Sequence, residues 1–112
     1  EKTYENVLLV CSFGMSTSFL TKKMNDLAKE KKVPLIVYAK SENAIETELE
    51  KADCILIGPQ IAYLEEQIKN RVGGKVPVEC VDATNFGRMN AAAILKQAIR
   101  MIKSQKPGEE GE

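Results

Sequence analysis

The stretch VLLVCSFGMSTSFL, residues 7–20, joins an apolar run, a cysteine and a loop of small polar residues. The run NVLLVC at 6–11 is apolar without alternation, which is typical of a strand buried on both faces. After Cys11, the segment SFGMSTS contains one glycine and four hydroxyl side chains, and a helical pattern follows. A strand, a short loop and a helix in this order predict a parallel α/β sheet with Cys11 at its carboxyl edge.

Apolar runs and amphipathic stretches alternate along most of the chain. Strands are predicted at 6–11, 35–39, 54–58 and 76–81. Helices are predicted at 18–32, 43–52, 60–72 and 90–103. Right-handed crossovers then favour a single-domain α/β fold, an open four-stranded parallel sheet of order 2-1-3-4 with helices on both faces. Pro77 has no amide hydrogen to donate, so the fourth strand is expected at an edge of the sheet.

Composition narrows the possible functions. A length of 112 residues predicts one domain, expected at 1–104, and the polar segment 105–112 is expected to be a disordered tail. The 16 basic and 16 acidic side chains cancel, so nucleic acid is not an expected partner. No apolar run approaches the roughly 20 residues of a membrane span, so direct membrane insertion is not expected. The three cysteines are widely separated, which predicts a reducing cytoplasm rather than a disulfide framework or a metal site.

The chain contains no histidine, so a Cys-His dyad and a Ser-His-Asp triad are excluded within it. A nucleophile at Cys11 must be activated by its surroundings. Consecutive amides in the loop form a concave nest for an anion, and the following helix N-terminus adds partial positive charge. Both features favour a thiolate at Cys11. Cys54 and Cys80 have no such loop beside them and are predicted to be core or strand positions.

Three segments resemble one known family. CSFGMSTSFL followed by KKM resembles the phosphorylation loop of enzyme IIB of the lactose/cellobiose/chitobiose class, from the bacterial phosphoenolpyruvate-dependent sugar phosphotransferase system. ADCILIGPQIAYLEEQIK is similar to the third strand and following helix of that family, and VECVDATNFGRMNAAAILKQAI to its fourth strand, loop and last helix. The resemblance covers nearly all of residues 5–103. It departs from the family at Phe86, where a tyrosine is usual, so a hydroxyl role at this position is in doubt.

The resemblance implies a phosphoryl carrier that needs no cofactor. Cys11 would be the catalytic residue, forming a phosphocysteine with phosphate from a phosphohistidine of enzyme IIA. A sugar bound to the membrane enzyme IIC, a cellobiose-like β-disaccharide or lactose, would then accept the phosphoryl group. The carrier would be cytoplasmic, transiently at the inner face of the plasma membrane. The loop that would hold the phosphate, largely through main-chain amides, consists of Ser12, Phe13, Gly14, Met15, Ser16, Thr17 and Ser18.

Two other functions compete with this one. Low-molecular-weight tyrosine phosphatases and arsenate reductases have a similar fold and the pattern C-x5-R-[ST]. Alignment on Cys11 puts Thr17 at the arginine position, followed by Ser18. Without a guanidinium to stabilise transition-state charge, transfer is favoured over hydrolysis. A non-catalytic anion-binding regulatory module is the other alternative.

Several residues near the same edge of the sheet have two interpretations. Asp82 and Asn85 either contact the site or form a turn, and the turn is favoured because both residue types suit turns. Ligands of such sheets bind beyond the carboxyl ends of the strands, so a crevice is expected between the loop from Cys11 onward and the loop GPQ at 58–60. Gln60 and Tyr63 lie near this crevice, where they either support the loop or contact enzyme IIA.

Overall fold

The computed structural model describes residues 4–11 and 15–105. The strands and helices, in chain order, are β1 Glu5–Val10, α1 Met15–Glu30, β2 Leu35–Lys40, α2 Ile45–Glu48, β3 Cys54–Ile57, α3 Glu65–Val72, β4 Val78–Cys80, α4 Ala83–Gly87 and α5 Ala91–Gln105. Two 3₁₀ segments, Glu42–Ala44 and Pro59–Leu64, lead into α2 and α3.

The four strands form one parallel sheet in the order β2-β1-β3-β4, which confirms the predicted topology. Val10 is in register with Lys40 on one side and with Ile57 on the other, and Ile57 is in register with Cys80. All four strands therefore end at the same edge of the sheet, and the residues after them lie close together. β4 is an edge strand, as Pro77 required.

Burial of β1 explains why its sequence is apolar without alternation. Val7 and Leu9 pack in one core cluster with α1 and α5, whereas Leu8 and Val10 pack on the opposite face with α2 and α3. All four side chains are fully buried. Because each face of the sheet is covered by helices, both sets of β1 side chains are removed from water, and the hydrophobic effect favours the central position of this strand.

Three elements are shorter than predicted or divided. The helix predicted at 43–52 is a 3₁₀ turn followed by the four-residue α2. The helix predicted at 60–72 begins as the 3₁₀ segment after Pro59 and becomes α-helical only at Glu65. It ends as predicted at Gly73, whose φ of 65° lies in the left-handed region that glycine adopts without steric cost. β4 has only three residues because Pro77 limits pairing at its start.

Two helices are longer than predicted, and one was missed. α1 begins at Met15 rather than at residue 18. The polar residues at its start suggested a loop, but Thr17 is buried there. The short helix α4 was read as a loop; it begins after Asp82, whose carboxylate accepts from the main-chain amide of Asn85. α5 continues through Gln105, past the domain boundary expected at 104, and 106–112 lie outside the described residues.

A side chain from α1 closes one edge of the sheet. The carbonyls of Pro34 and Lys40 accept hydrogen bonds from the main-chain amides of Glu5 and Cys11. Because main-chain groups alternate in direction along a strand, those of Val37 point away from β1, toward the free edge of the sheet. Asn25 binds both outward groups of Val37: its Nδ2 donates to the carbonyl at 2.8 Å, and its Oδ1 accepts from the amide at 2.7 Å. The amide of Asn25 thus takes the place of a neighbouring strand.

Arg71 ties α3 to the 3₁₀ turn and to α2. Its guanidinium donates to the Glu46 carboxylate at 2.6 and 2.7 Å, and to the carboxylate and carbonyl oxygens of Glu42 at 2.6 and 3.1 Å. The hydrogen bonds from Arg71 hold the pKa of Glu46 below its ordinary value. The contacts anchor α2, which is too short to be stable by itself.

Candidate functional site

Cys11 lies immediately after β1, at the edge of the sheet where all four strands end. Its main-chain amide donates to the carbonyl of Lys40 at 3.3 Å, which extends the β1–β2 pairing beyond the last strand residue. The side chain is 5% exposed. The central strand therefore fixes the thiol at the position where open parallel α/β sheets bind ligands.

Thr17, in the first turns of α1, is the hydrogen-bond partner of this thiol. Its Oγ1 lies 3.2 Å from Cys11 Sγ, and the threonine is only 3% exposed. As a thiol, Cys11 donates to the hydroxyl oxygen; as a thiolate, it accepts the hydroxyl hydrogen. A neutral donor thus stands where a phosphatase would carry arginine. Ser18, the next residue, is exposed.

The remaining residues of the predicted phosphate loop are only partly described. Ser12, Phe13 and Gly14 lie outside the described residues, and Met15 and Ser16 begin α1. Because α1 has 16 residues, its N-terminus carries partial positive charge close after Cys11 in the chain. Thr17 is brought to the sulfur; phosphate contacts by the loop as a whole stay a prediction.

Gly58 packs directly against Cys11, at the crevice that the sequence predicted between the loops after the first and third strands. It follows β3, and its amide donates to the carbonyl of Val10 at 2.8 Å. A Cβ atom at Gly58 would lie 3.1 Å from Cys11 Cβ, closer than most side-chain contacts in proteins. The φ of −63° is open to any residue, so the glycine is needed for space rather than for conformation. The sequence placed the loop GPQ, 58–60, at this crevice but gave no sign that Gly58 itself contacts Cys11.

Gln60 and Tyr63 belong to the 3₁₀ segment that follows Gly58. Gln60 Oε1 would be 2.8 Å from a Cβ atom at Gly58, so this side chain lies against the glycine that packs on Cys11. Tyr63 is 80% exposed. Among the residues predicted near the crevice, the structure therefore brings Gln60 to the site and leaves Tyr63 on the surface.

Asp82, Asn85 and Phe86 have local structural roles. Asp82 is the N-cap of α4, with Oδ2 3.1 Å from the amide nitrogen of Asn85. This confirms the turn interpretation of the pair. Phe86 is 5% exposed and packs in the core cluster beneath α1 and α5. A phenylalanine suits that apolar environment, since a buried hydroxyl would need a hydrogen-bond partner.

The other two cysteines lie in or beside the core, as predicted. Cys54 is fully buried, and desolvation, with a smaller effect of the Asp53 charge, raises the pKa of its thiol to about 12. Cys80 is partly buried, and burial raises the pKa of its thiol. Both thiols are therefore poor nucleophiles at neutral pH.

The part of the chain that the structure describes contains neither a cluster of metal ligands nor a membrane-spanning helix. Over residues 4–11 and 15–105, no three acidic or cysteine side chains cluster closely enough to hold a metal ion. In the same part of the chain, no helix is long and apolar enough to cross a membrane.

The fold and site define an open parallel α/β domain that presents a hydrogen-bonded cysteine at the carboxyl end of its central strand. The family model "PTS system, Lactose/Cellobiose specific IIB subunit" matches residues 6–97. The chain therefore belongs to the lactose/cellobiose-specific IIB family of the sugar phosphotransferase system, as its sequence resemblance indicated.

Individual relatives agree with this assignment. The oligo-beta-mannoside-specific EIIB component of Bacillus subtilis (strain 168) is 29% identical over 102 residues, covering 90% of this chain and 99% of the relative. The galactose-specific EIIB component of Lactococcus lactis subsp. cremoris (strain MG1363) is 32% identical over 103 residues, covering 86% of this chain and 94% of the relative. The solution structure of a cellobiose-specific IIB component from Borrelia burgdorferi superimposes with a TM-score of 0.77 at 28% identity, covering 90% of this chain and 94% of that structure.

Proposed function

We propose that this chain carries a phosphoryl group on Cys11, taken from a phosphohistidine of enzyme IIA and passed to a sugar held by the membrane enzyme IIC. The observation that carries the proposal is the buried hydrogen bond between Cys11 Sγ and Thr17 Oγ1, at the edge where the sheet meets α1. Membership of the IIB family supports it. So does the absence of histidine from the chain, because the donor imidazole must then belong to another protein.

The two transfers balance without a cofactor. In the first, the N–P bond of phosphohistidine breaks, an S–P bond forms, and the thiol proton of Cys11 ends on the imidazole nitrogen that lost phosphorus. In the second, the S–P bond breaks, an O–P bond forms on a sugar hydroxyl, and the hydroxyl proton restores the thiol. Thr17 serves both steps, because its hydroxyl hydrogen stabilises the sulfur whenever that atom carries negative charge.

The residues around Cys11 favour transfer over hydrolysis. Thr17 is neutral and directed at the sulfur, so it does not clamp phosphoryl oxygens as an arginine would. Asp82, the acidic residue nearest to the site along the fourth strand, is engaged as the cap of α4. A phosphocysteine without a clamping arginine and a base to activate water persists until an acceptor hydroxyl is aligned with it.

The remaining features of the function follow from this scheme. The segment Ser12–Ser18 binds the phosphoryl oxygens through its main-chain amides, assisted by the N-terminus of α1. We place the protein in the cytoplasm, with docking to IIC at the inner face of the plasma membrane. The sugar is a cellobiose-like β-disaccharide or lactose, and a structured domain at 1–104 is sufficient for the relay.

The experiment combines the protein with phosphorylated enzyme IIA of a lactose/cellobiose system and follows intact mass. Wild type is expected to gain one phosphoryl group, and Cys11→Ser none, while the control Cys80→Ser behaves as wild type. If wild type gains no phosphoryl group, or Cys11→Ser gains it equally, the proposal is wrong. Rapid hydrolysis of p-nitrophenyl phosphate by the chain alone would identify a phosphatase instead, and phosphate binding without covalent transfer would identify an anion-binding module.

A further inference from the structure

The side chain of Gln60 lies against the same glycine that packs on Cys11. A Cβ atom built on Gly58 would lie 2.8 Å from Gln60 Oε1 and 3.1 Å from Cys11 Cβ. The carboxamide oxygen and the side chain of Cys11 therefore border the same empty position beside Gly58. Pro59 and the 3₁₀ segment that it begins bring Gln60 back over the end of β3.

This carboxamide has no structural task among the residues that the structure describes. Other amides near the sheet edges are engaged: Asn25 binds the main chain of β2, and Gln97 donates to Glu79 at 2.8 Å and to the Cys80 carbonyl at 3.2 Å. Within 4–11 and 15–105, Gln60 makes no side-chain hydrogen bond, and it is exposed. Its two amide hydrogens are free to meet a group brought to Cys11.

A phosphoryl group on the sulfur would present oxygens to this side of the site. Such a group passes through a state with negative charge spread over its equatorial oxygens, and donors fixed in place stabilise that state. Thr17 is directed at the sulfur itself rather than at those oxygens. The last side-chain torsion of glutamine has a broad, roughly two-fold profile, so a half-turn about it places Nε2 rather than Oε1 toward them.

We propose that Gln60 is a catalytic residue that donates a hydrogen bond from Nε2 to a phosphoryl oxygen while the group moves onto and off Cys11. The inference rests on the proposed phosphoryl relay. Gln60 neither gains nor loses a proton, and the bonds made and broken are those of the relay. A neutral donor assists both transfers, because the same phosphoryl oxygens are present in each.

Substitutions at Gln60 separate a donor from a residue that only shapes the surface. Gln60→Glu keeps the shape but replaces the amide hydrogens with negative charge, and Gln60→Ala removes the group. The maximal rate of transfer from phosphorylated IIA is expected to fall about 10-fold in Gln60→Ala and about 100-fold in Gln60→Glu. Gln67→Glu, which makes the same charge change at an exposed position of α3, is expected to stay within about 2-fold of wild type.

The dependence of the rate on IIA concentration decides between catalysis and docking. Loss of a donor lowers the maximal rate and leaves KM for IIA nearly unchanged, whereas loss of a docking contact raises KM. Wild-type transfer with unchanged rates in both Gln60 variants would overturn the inference and leave the relay standing, as would an effect on KM alone. Absence of transfer in wild type would overturn the relay itself, and the role of Gln60 with it.

Discussion

Replacing Gly58 with alanine tests whether close packing against the thiol matters for function. The added methyl would lie 2.8 Å from Gln60 Oε1 and 3.1 Å from Cys11 Cβ. The first contact is relieved by moving the end of a flexible side chain. The second requires Cys11 or the end of β3 to shift by a few tenths of an ångström, because both are held by strand pairing.

The expected cost in stability is small. Overpacking by one methyl costs about 1 kcal/mol when one of the two neighbours is mobile. The φ of −63° accommodates alanine, which offsets about 0.4–1 kcal/mol by restricting the unfolded chain. We therefore expect the free energy of unfolding, from urea titrations, to fall by less than about 1 kcal/mol.

The expected cost in activity is larger. A displacement of about 1 Å at a reacting centre lowers the reaction rate by about 100-fold. A shift of a few tenths of that distance at Cys11, together with the displacement of Gln60, is expected to lower the rate of phosphoryl transfer by about 10-fold. The assay is the rate at which the protein takes phosphate from phosphorylated enzyme IIA. Gly87→Ala is the matched control, because nothing lies within 4 Å of the added methyl. Transfer by Gly58→Ala at the wild-type rate, or a loss of stability above about 3 kcal/mol, would refute the reasoning.

Substitutions at three further positions have definite expected outcomes. Thr17→Val removes the hydroxyl beside the thiol, and transfer from enzyme IIA is expected to slow by about 10-fold, whereas Thr17→Ser retains most of the rate. Asn25→Ala leaves two main-chain groups at the edge of β2 without partners, and the free energy of unfolding in urea is expected to fall by about 1–3 kcal/mol. Arg71→Met removes the hydrogen bonds that lower the pKa of Glu46, and stability is expected to depend less steeply on pH in the acid range.

The sign of the last effect follows from the direction of the pKa shift. A carboxyl whose pKa is lowered in the folded state contributes stability above its ordinary value of 4.5 and loses it as pH falls through the folded value. The urea midpoint of wild type should therefore approach that of Arg71→Met as the pH falls from about 6 to about 3. A constant difference across that range would contradict the assignment.

For Asn25→Ala and Thr17→Val, controls separate the loss of one specific contact from a general disturbance of the fold. Asn43→Ala changes an exposed asparagine and is expected to leave stability within about 0.5 kcal/mol of wild type, so an equal loss in both variants would contradict the edge role of Asn25. For Thr17, circular dichroism and urea unfolding must show an intact fold. If Thr17→Ser is as slow as Thr17→Val, the hydroxyl is not the important group.

The features that were predictable from sequence are those with a local pattern. The continuous apolar run at 6–11 indicated a strand buried on both faces, and Pro77 indicated an edge strand, because each depends on the chemistry of a few adjacent residues. Gly73 likewise marked the end of α3. The start of α1 was placed too late because Thr17 was judged by its preference for loops and caps, whereas burial against Cys11 determines its conformation.

The sequence by itself determined the fold class, the strand order and the family, since periodicity, proline positions and motif spacing are all written along the chain. It also predicted that the loop at 58–60 lies across a crevice from Cys11, and only the tertiary structure showed which atoms of that loop and of α1 contact the cysteine. Gly58 and Gln60 are distant from Cys11 in the chain and meet it because β1 and β3 are paired in register. Thr17 turns inward because α1 packs on the sheet. Such contacts depend on how separate elements pack together, and a local pattern does not contain that information.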